Sequence, residues 1–180
     1  MILRALIGVA VLALTGCTET QAGTPRAADA DVTTAPGSSS GAPTSGGDSP
    51  LAGIEPCDLL TAEEVAQLGV GNGQNDDVGD SPGCSWSKSG DFVLSVGLVT
   101  DVGIHDANLQ GASPEPVNVG GHEAIRVQNQ GGGEGGCAVL IATSDSSFVD
   151  ITVITTSGSD TPRACGAAEN VAGLVERKLP

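Results

Sequence analysis

The sequence predicts an α+β domain: an antiparallel sheet of about five strands, with an N-terminal and a C-terminal helix packed on one face, held by two disulfides. Three observations predict it. The middle of the chain alternates apolar and polar residues with a period of two, as in Phe92, Leu94, Val96 and Leu98, which is strand spacing. Helical spacing occurs only near the two ends of that stretch. Four cysteines, Cys57, Cys84, Cys137 and Cys165, fall within it.

Upstream of this domain the chain carries an address. Met1 to Arg4 holds one positive charge, and Ala5 to Leu14 is an unbroken apolar run. That is the plan of a secretory signal peptide, and at about half of the roughly 20 residues a transmembrane helix requires, the run is too short to span a bilayer. Leu14-Thr15-Gly16-Cys17 then resembles the bacterial lipobox, in which the cysteine thiol takes a diacylglycerol and the peptidase cuts just before it. Residues 1–16 are therefore expected to be removed and Cys17 to be the lipidated N-terminus, giving a membrane-anchored protein on the extracytoplasmic face. The competing reading is a secreted protein with an incidental cysteine.

Residues 17–54 form the expected tether. Thr, Ser, Gly, Ala and Pro dominate it, with scattered acids and no apolar periodicity to offset the entropy of ordering. A flexible chain of this length reaches roughly 30 to 36 Å. Its Ser, Thr and Pro also suit O-glycosylation.

The domain is expected over residues 55–180, large enough for one core. Thr61-Ala62-Glu63-Glu64 fits a capping box, with Val65 and Leu68 continuing a short helix and Gly69 ending it. Asn72 to Gly83 reads as a loop. Cys84-Ser85-Trp86 and Phe92 to Thr100 form a hairpin that turns near Ser89-Gly90. His122 to Gln128 is the third strand, Cys137 to Thr143 the fourth and Phe148 to Thr155 the fifth. Cys165 to Leu179 closes the chain as a helix, because Ala168, Val171, Leu174, Val175 and Lys178 recur at helical spacing.

In an exported chain an even number of cysteines argues for disulfides, and no CxxC or Cys/His pair stands at metal-ligand spacing. Three pairings are open. Cys57 with Cys165 and Cys84 with Cys137 are expected, because the first pair opens helices and the second opens strands. Trp86, Phe92 and Phe148 are the domain's aromatic residues, so its core rests on Val, Ile, Leu and Ala, and cross-links compensate.

Charge excludes one partner class. The full chain carries a net charge of −15. Such a surface repels phosphate backbones and anionic headgroups, so no nucleic-acid partner is expected and the bilayer is met only through acylated Cys17.

No motif carries recognisable chemistry. Gly69-Val70-Gly71-Asn72-Gly73 lacks the spacing of a dinucleotide fingerprint, and the glycines from Gly131 to Gly136 have no lysine or following helix to complete a phosphate cradle. Asn72, Asn75, Asp76, Asp77 and Asp80 do not fit a calcium-loop register. His105 and His122 read as surface residues, and Trp86 as core packing beside a disulfide. No catalytic residue, cofactor or metal ligand is accordingly expected.

Pro56-Cys57-Asp58-Leu59-Leu60-Thr61, Cys84-Ser85-Trp86, Val117 to Gly121 with Ala124, Cys137-Ala138-Val139 and the closing Cys165 helix, in this order, resemble the actinobacterial lipoproteins grouped as domain of unknown function 3558. The resemblance implies a lipid-anchored cell-envelope protein with no established reaction. A non-catalytic binding or sensory module is expected, holding an envelope protein or a small apolar ligand. The alternative is an envelope hydrolase assembled only in the fold, which needs a serine or carboxylate beside His105 or His122.

Overall fold

A computed structural model describes residues 49–109, 112, 114–130 and 133–180. The signal peptide, Cys17 with its expected lipid, and the tether up to residue 48 lie outside the described residues. Among the described residues no helix is long and apolar enough to cross a membrane.

Pro56–Leu59 is a single 3-10 turn, followed by α1 (Ala62–Leu68). The start of α1 is fixed as its sequence dictates: the Glu64 amide donates to Thr61 Oγ1 and the Thr61 amide to the Glu64 carboxylate. Gly69 ends the helix at φ 66°, a left-handed conformation that costs glycine nothing.

Among the described residues seven antiparallel strands then form one sheet in the order β1-β2-β3-β7-β6-β5-β4. They are β1 (Gln74–Val78), β2 (Ser81–Lys88), β3 (Phe92–Val99), β4 (Pro114–Val119), β5 (His122–Gln128), β6 (Gly136–Ser144) and β7 (Ser147–Thr155). The expected count of about five is thus corrected to seven. Both additional strands are edges. Four of β1's five residues are exposed, so it carries no apolar alternation and exists through backbone pairing with β2. β4 contains Pro114 and Pro116, which an edge tolerates because an N–H facing away from the sheet has no ladder bond to lose.

Helix α2 (Thr161–Glu176) starts before the expected Cys165, capped by Asp160, whose carboxylate accepts the Arg163 amide at 3.0 Å. Proline at its first turn supplies a fitting φ where no N–H is needed. Ala164, Cys165, Ala168, Val171, Ala172 and Val175 are buried and join Trp86, Leu94, Val96, Val139, Ile141, Ile151 and Val153 in one apolar cluster. Leu59 and Leu60 belong to the same cluster, and so does Leu51, upstream of the expected domain start. Lys178 Nζ donates to the Leu59 carbonyl at 2.6 Å and also meets Glu64, tying the end of the chain to its first turn.

The opposite face of the sheet holds a second cluster, Ile104, Ile125, Val127, Ala138, Leu140 and Phe148. It is partly covered by the segment connecting β3 to β4, through Val102, Ala107, Leu109 and Ala112.

The disulfides are Cys57–Cys84 and Cys137–Cys165, which corrects the expected Cys57–Cys165 and Cys84–Cys137. The reason lies in where each helical element sits. The 3-10 turn packs on β2, and α2 on β6 and β7, so each helical cysteine meets the strand beneath it, at Cα separations of 5.1 and 4.9 Å.

Candidate functional site

At the end of the sheet where the β4–β5 and β6–β7 turns lie, a cleft of about 450 Å³ opens between Gly103–Asp106, Gly121–Glu123 and Ala142–Asp145. Its geometry follows from small local choices. Val119 and His122 pair across a two-residue turn with Gly120 at φ 56°, a conformation glycine adopts freely. The turn places His122 at the first position of β5. On the opposite wall Ile104 is buried in the outer cluster, and Gly103 lies so close to the Asp145 carbonyl that a β-carbon would collide with it. These two contacts anchor the connecting segment and hold His105 and Asp106 at the rim.

Both histidines of the chain therefore line one cleft, although they are 17 positions apart in sequence. Each has a carboxylate partner. His105 Nε2 lies 3.2 Å from Glu123 Oε1, with both side chains well exposed, so this pair contributes little to stability. His122 Nδ1 lies 3.2 Å from Glu176 Oε1, and here both side chains are largely covered. His122 Nε2 lies 3.3 Å from the Pro180 carbonyl. Glu176 also accepts the Gly121 amide at 3.0 Å. That bond and His122 together hold the Glu176 carboxyl below its ordinary pKa.

The hydroxyls at the cleft bond to one another. Ser144 Oγ and Thr143 Oγ1 lie 2.6 and 2.8 Å from Ser147 Oγ, and Ser147 is fully buried. Among the described residues no serine or threonine hydroxyl is hydrogen-bonded to either imidazole. Nor does any group of three or more His, Cys, Asp or Glu converge there in a way that could hold a metal ion.

A family model described as a protein of unknown function, DUF3558, matches residues 12–178. The chain belongs to the DUF3558 family. No curated protein and no solved structure matches it. The match takes in Cys17 as well as the domain.

In this DUF3558 chain the remaining candidate residues fall apart in space and role. Asn75, Asp76 and Asp77 are not in a loop but on edge strand β1. Trp86 is buried on β2 beside Cys84, as expected for a core aromatic. Gly71 donates its amide to the Ser87 carbonyl at 2.9 Å, so the Gly69–Gly73 stretch runs alongside β2. The cleft's carboxylate pairings were not anticipated: Glu176 meets His122 across 54 residues of sequence, and no local pattern signals that contact.

Proposed function

We propose that the chain is a lipid-anchored, extracytoplasmic binding module of the bacterial cell envelope, non-catalytic, with the cleft between His105 and His122 as its recognition surface. Leu14 to Cys17 supports the anchor, since a short apolar run followed by two small residues and cysteine is what a lipobox requires. The two disulfides support an oxidising compartment. The observation that carries the binding reading over catalysis is the state of the two imidazoles. Each has the carboxylate neighbour that a hydrolase would need, but among the described residues neither is hydrogen-bonded to a hydroxyl it could activate as a nucleophile. An envelope hydrolase remains the second reading, favoured by one observation: Thr143, Ser144 and both histidines share the cleft.

Two experiments test the proposal. The full chain, expressed in a bacterium that makes lipoproteins, is expected to be cleaved before Cys17, to carry acyl mass there and to fractionate with membranes, whereas Cys17→Ser is neither cleaved nor acylated. An unprocessed, unacylated wild type removes the anchor. A photo-reactive residue at Ser146, on the exposed turn beside the cleft, is expected to give discrete adducts in intact envelopes, and one at Ser89, on the β2–β3 turn, is not. Equal labelling from both positions, or none, removes the cleft as the recognition surface.

A further inference from the structure

The two edges of the sheet are built differently. β4 carries Pro114 and Pro116, so its free side lacks amide donors at alternate positions. β1 contains no proline, and its first four residues are exposed. Among the described residues nothing pairs with its outer side. A strand edge in this condition is a template for another chain.

β1 is nevertheless guarded. The Asp77 amide donates to the carboxylate of its own neighbour, Asp76 Oδ1, at 3.0 Å; opposite it on β2 stands Pro82, which has no N–H to complete a hydrogen-bonded pair, so this donor faces the open side. Beside it lies a groove of about 350 Å³ whose charged residues are Glu55, Asp76 and Asp77, all acidic.

We propose that β1 is a strand-addition site for an extended polypeptide segment bearing Lys or Arg at alternate positions. Charge selects the occupant. A second copy of this chain, added edge to edge, would set its own Asp76 and Asp77 against these carboxylates, and like charges opposed across a ladder are unfavourable. The chain's own segment from Thr18 to Asp48 is no better suited, with Arg26 as its one basic residue against Glu19, Asp29, Asp31 and Asp48. A basic strand instead draws the Asp76 carboxylate toward its ammonium or guanidinium group and releases the Asp77 amide for a main-chain bond. The carboxylate that blocks indiscriminate pairing is then the group that admits a cationic partner. The site requires only an accessible edge, so it stands or falls separately from lipid attachment and from the cleft.

The test uses the full chain in neutral detergent, followed by amide NMR at low salt. Three blocked octapeptides serve as probes: alternating Lys-Thr, the same peptide N-methylated at alternate residues, and alternating Glu-Thr. The Lys-Thr peptide is expected to shift amides from Gln74 to Val78, and N-methylation to weaken it by about tenfold or more, while Glu-Thr gives no saturation. Asp76→Lys with Asp77→Lys, and separately Asp76→Asn with Asp77→Asn, are expected to weaken Lys-Thr by a similar factor with Trp86 fluorescence unchanged. Equal binding of the N-methylated peptide would reduce the effect to charge attraction and overturn the proposal. So would saturating shifts centred on the His105–His122 cleft, or no binding of Lys-Thr at all.

Discussion

Glu176 Oε1 stands 3.2 Å from His122 Nδ1 and 3.0 Å from the Gly121 amide, so one carboxylate at the end of α2 fastens the helix to the β4–β5 turn. The clasp carries a pH signature. Because these partners lower the Glu176 pKa from its ordinary 4.5, the ionised carboxylate stabilises the fold at neutral pH. That contribution is lost as the pH falls below 4.5 through the folded-state value. Wild type is therefore expected to exceed Glu176→Gln in urea stability at pH 7, with the gap closing toward pH 3. A gap of constant size across that range would show that charge plays no part.

The same clasp constrains Gly120. Its φ is 56°, and a β-carbon built there runs into the Glu176 carboxylate. Gly120→Ala should cost about 1 kcal/mol for the left-handed backbone alone, and more because Glu176 must be displaced. Combining it with Glu176→Ala should remove the second part, so the double mutant is expected to be more stable than the sum of the single effects. Strict additivity would mean that Glu176 swings aside at no cost.

Non-reducing digestion is expected to release Cys57 linked to Cys84 and Cys137 linked to Cys165, with no peptide joining Cys57 to Cys165. The sequence separations are 27 and 28, which in the chain-entropy model gives each bond about 3.5 kcal/mol. Replacing both cysteines of either pair by serine should lower the urea midpoint in proportion. Loss of one pair leaving the midpoint unmoved would refute that estimate.

The fold was legible wherever residues had something to bury. The capping box at Thr61 and Glu64, the left-handed Gly69, the turn near Gly90 and the strand from His122 to Gln128 all follow from local pattern and all occur. β1 and β4 were not legible, because Gln-Asn-Asp-Asp-Val has no apolar face and Pro114 and Pro116 have no N–H to give a ladder, which argues against a strand. Edge strands need only a neighbour's backbone, and the sequence pattern does not report that. The disulfide pairing failed for a related reason: it depends on which part of the sheet each helix covers. The cleft lay further out of reach. Its walls come from three separated segments, and the contacts of Gly103 with Asp145 and of Glu176 with His122 are tertiary.

Gly73 offers a sharp probe of the core. A β-carbon there would stand 2.7 Å from Trp86 Nε1 and 2.8 Å from Cys84 Sγ, and neither a buried indole nor a cross-linked sulfur has room to move. Overpacking of this kind costs typically about 1–3 kcal/mol. Gly73→Ala is therefore expected to lower stability by that amount and to shift the emission of Trp86, the single tryptophan. Unchanged emission with unchanged stability would mean that β1 simply lifts away.

Asp150 makes the opposite prediction from Glu176. It lies on β7, the central strand of the sheet, between Gly97 of β3 and Leu140 of β6. Burial raises its pKa above the ordinary 3.8, and the hydrogen bond donated by Thr152 Oγ1 at 2.7 Å only partly opposes this. A carboxyl whose folded pKa is raised prefers to be protonated in the fold. Its ionised form therefore costs stability once the pH exceeds 3.8, and the penalty grows until the folded group itself ionises. Asp150→Asn keeps an oxygen to accept from Thr152 and removes the charge. It should be more stable than wild type at pH 7, with the two converging below pH 3.8, where the wild-type carboxyl is neutral in both states. Denaturant titrations at pH 7 and pH 3 decide it: an Asn variant weaker than wild type at pH 7 would mean that the Asp150 carboxylate is a favourable part of the sheet.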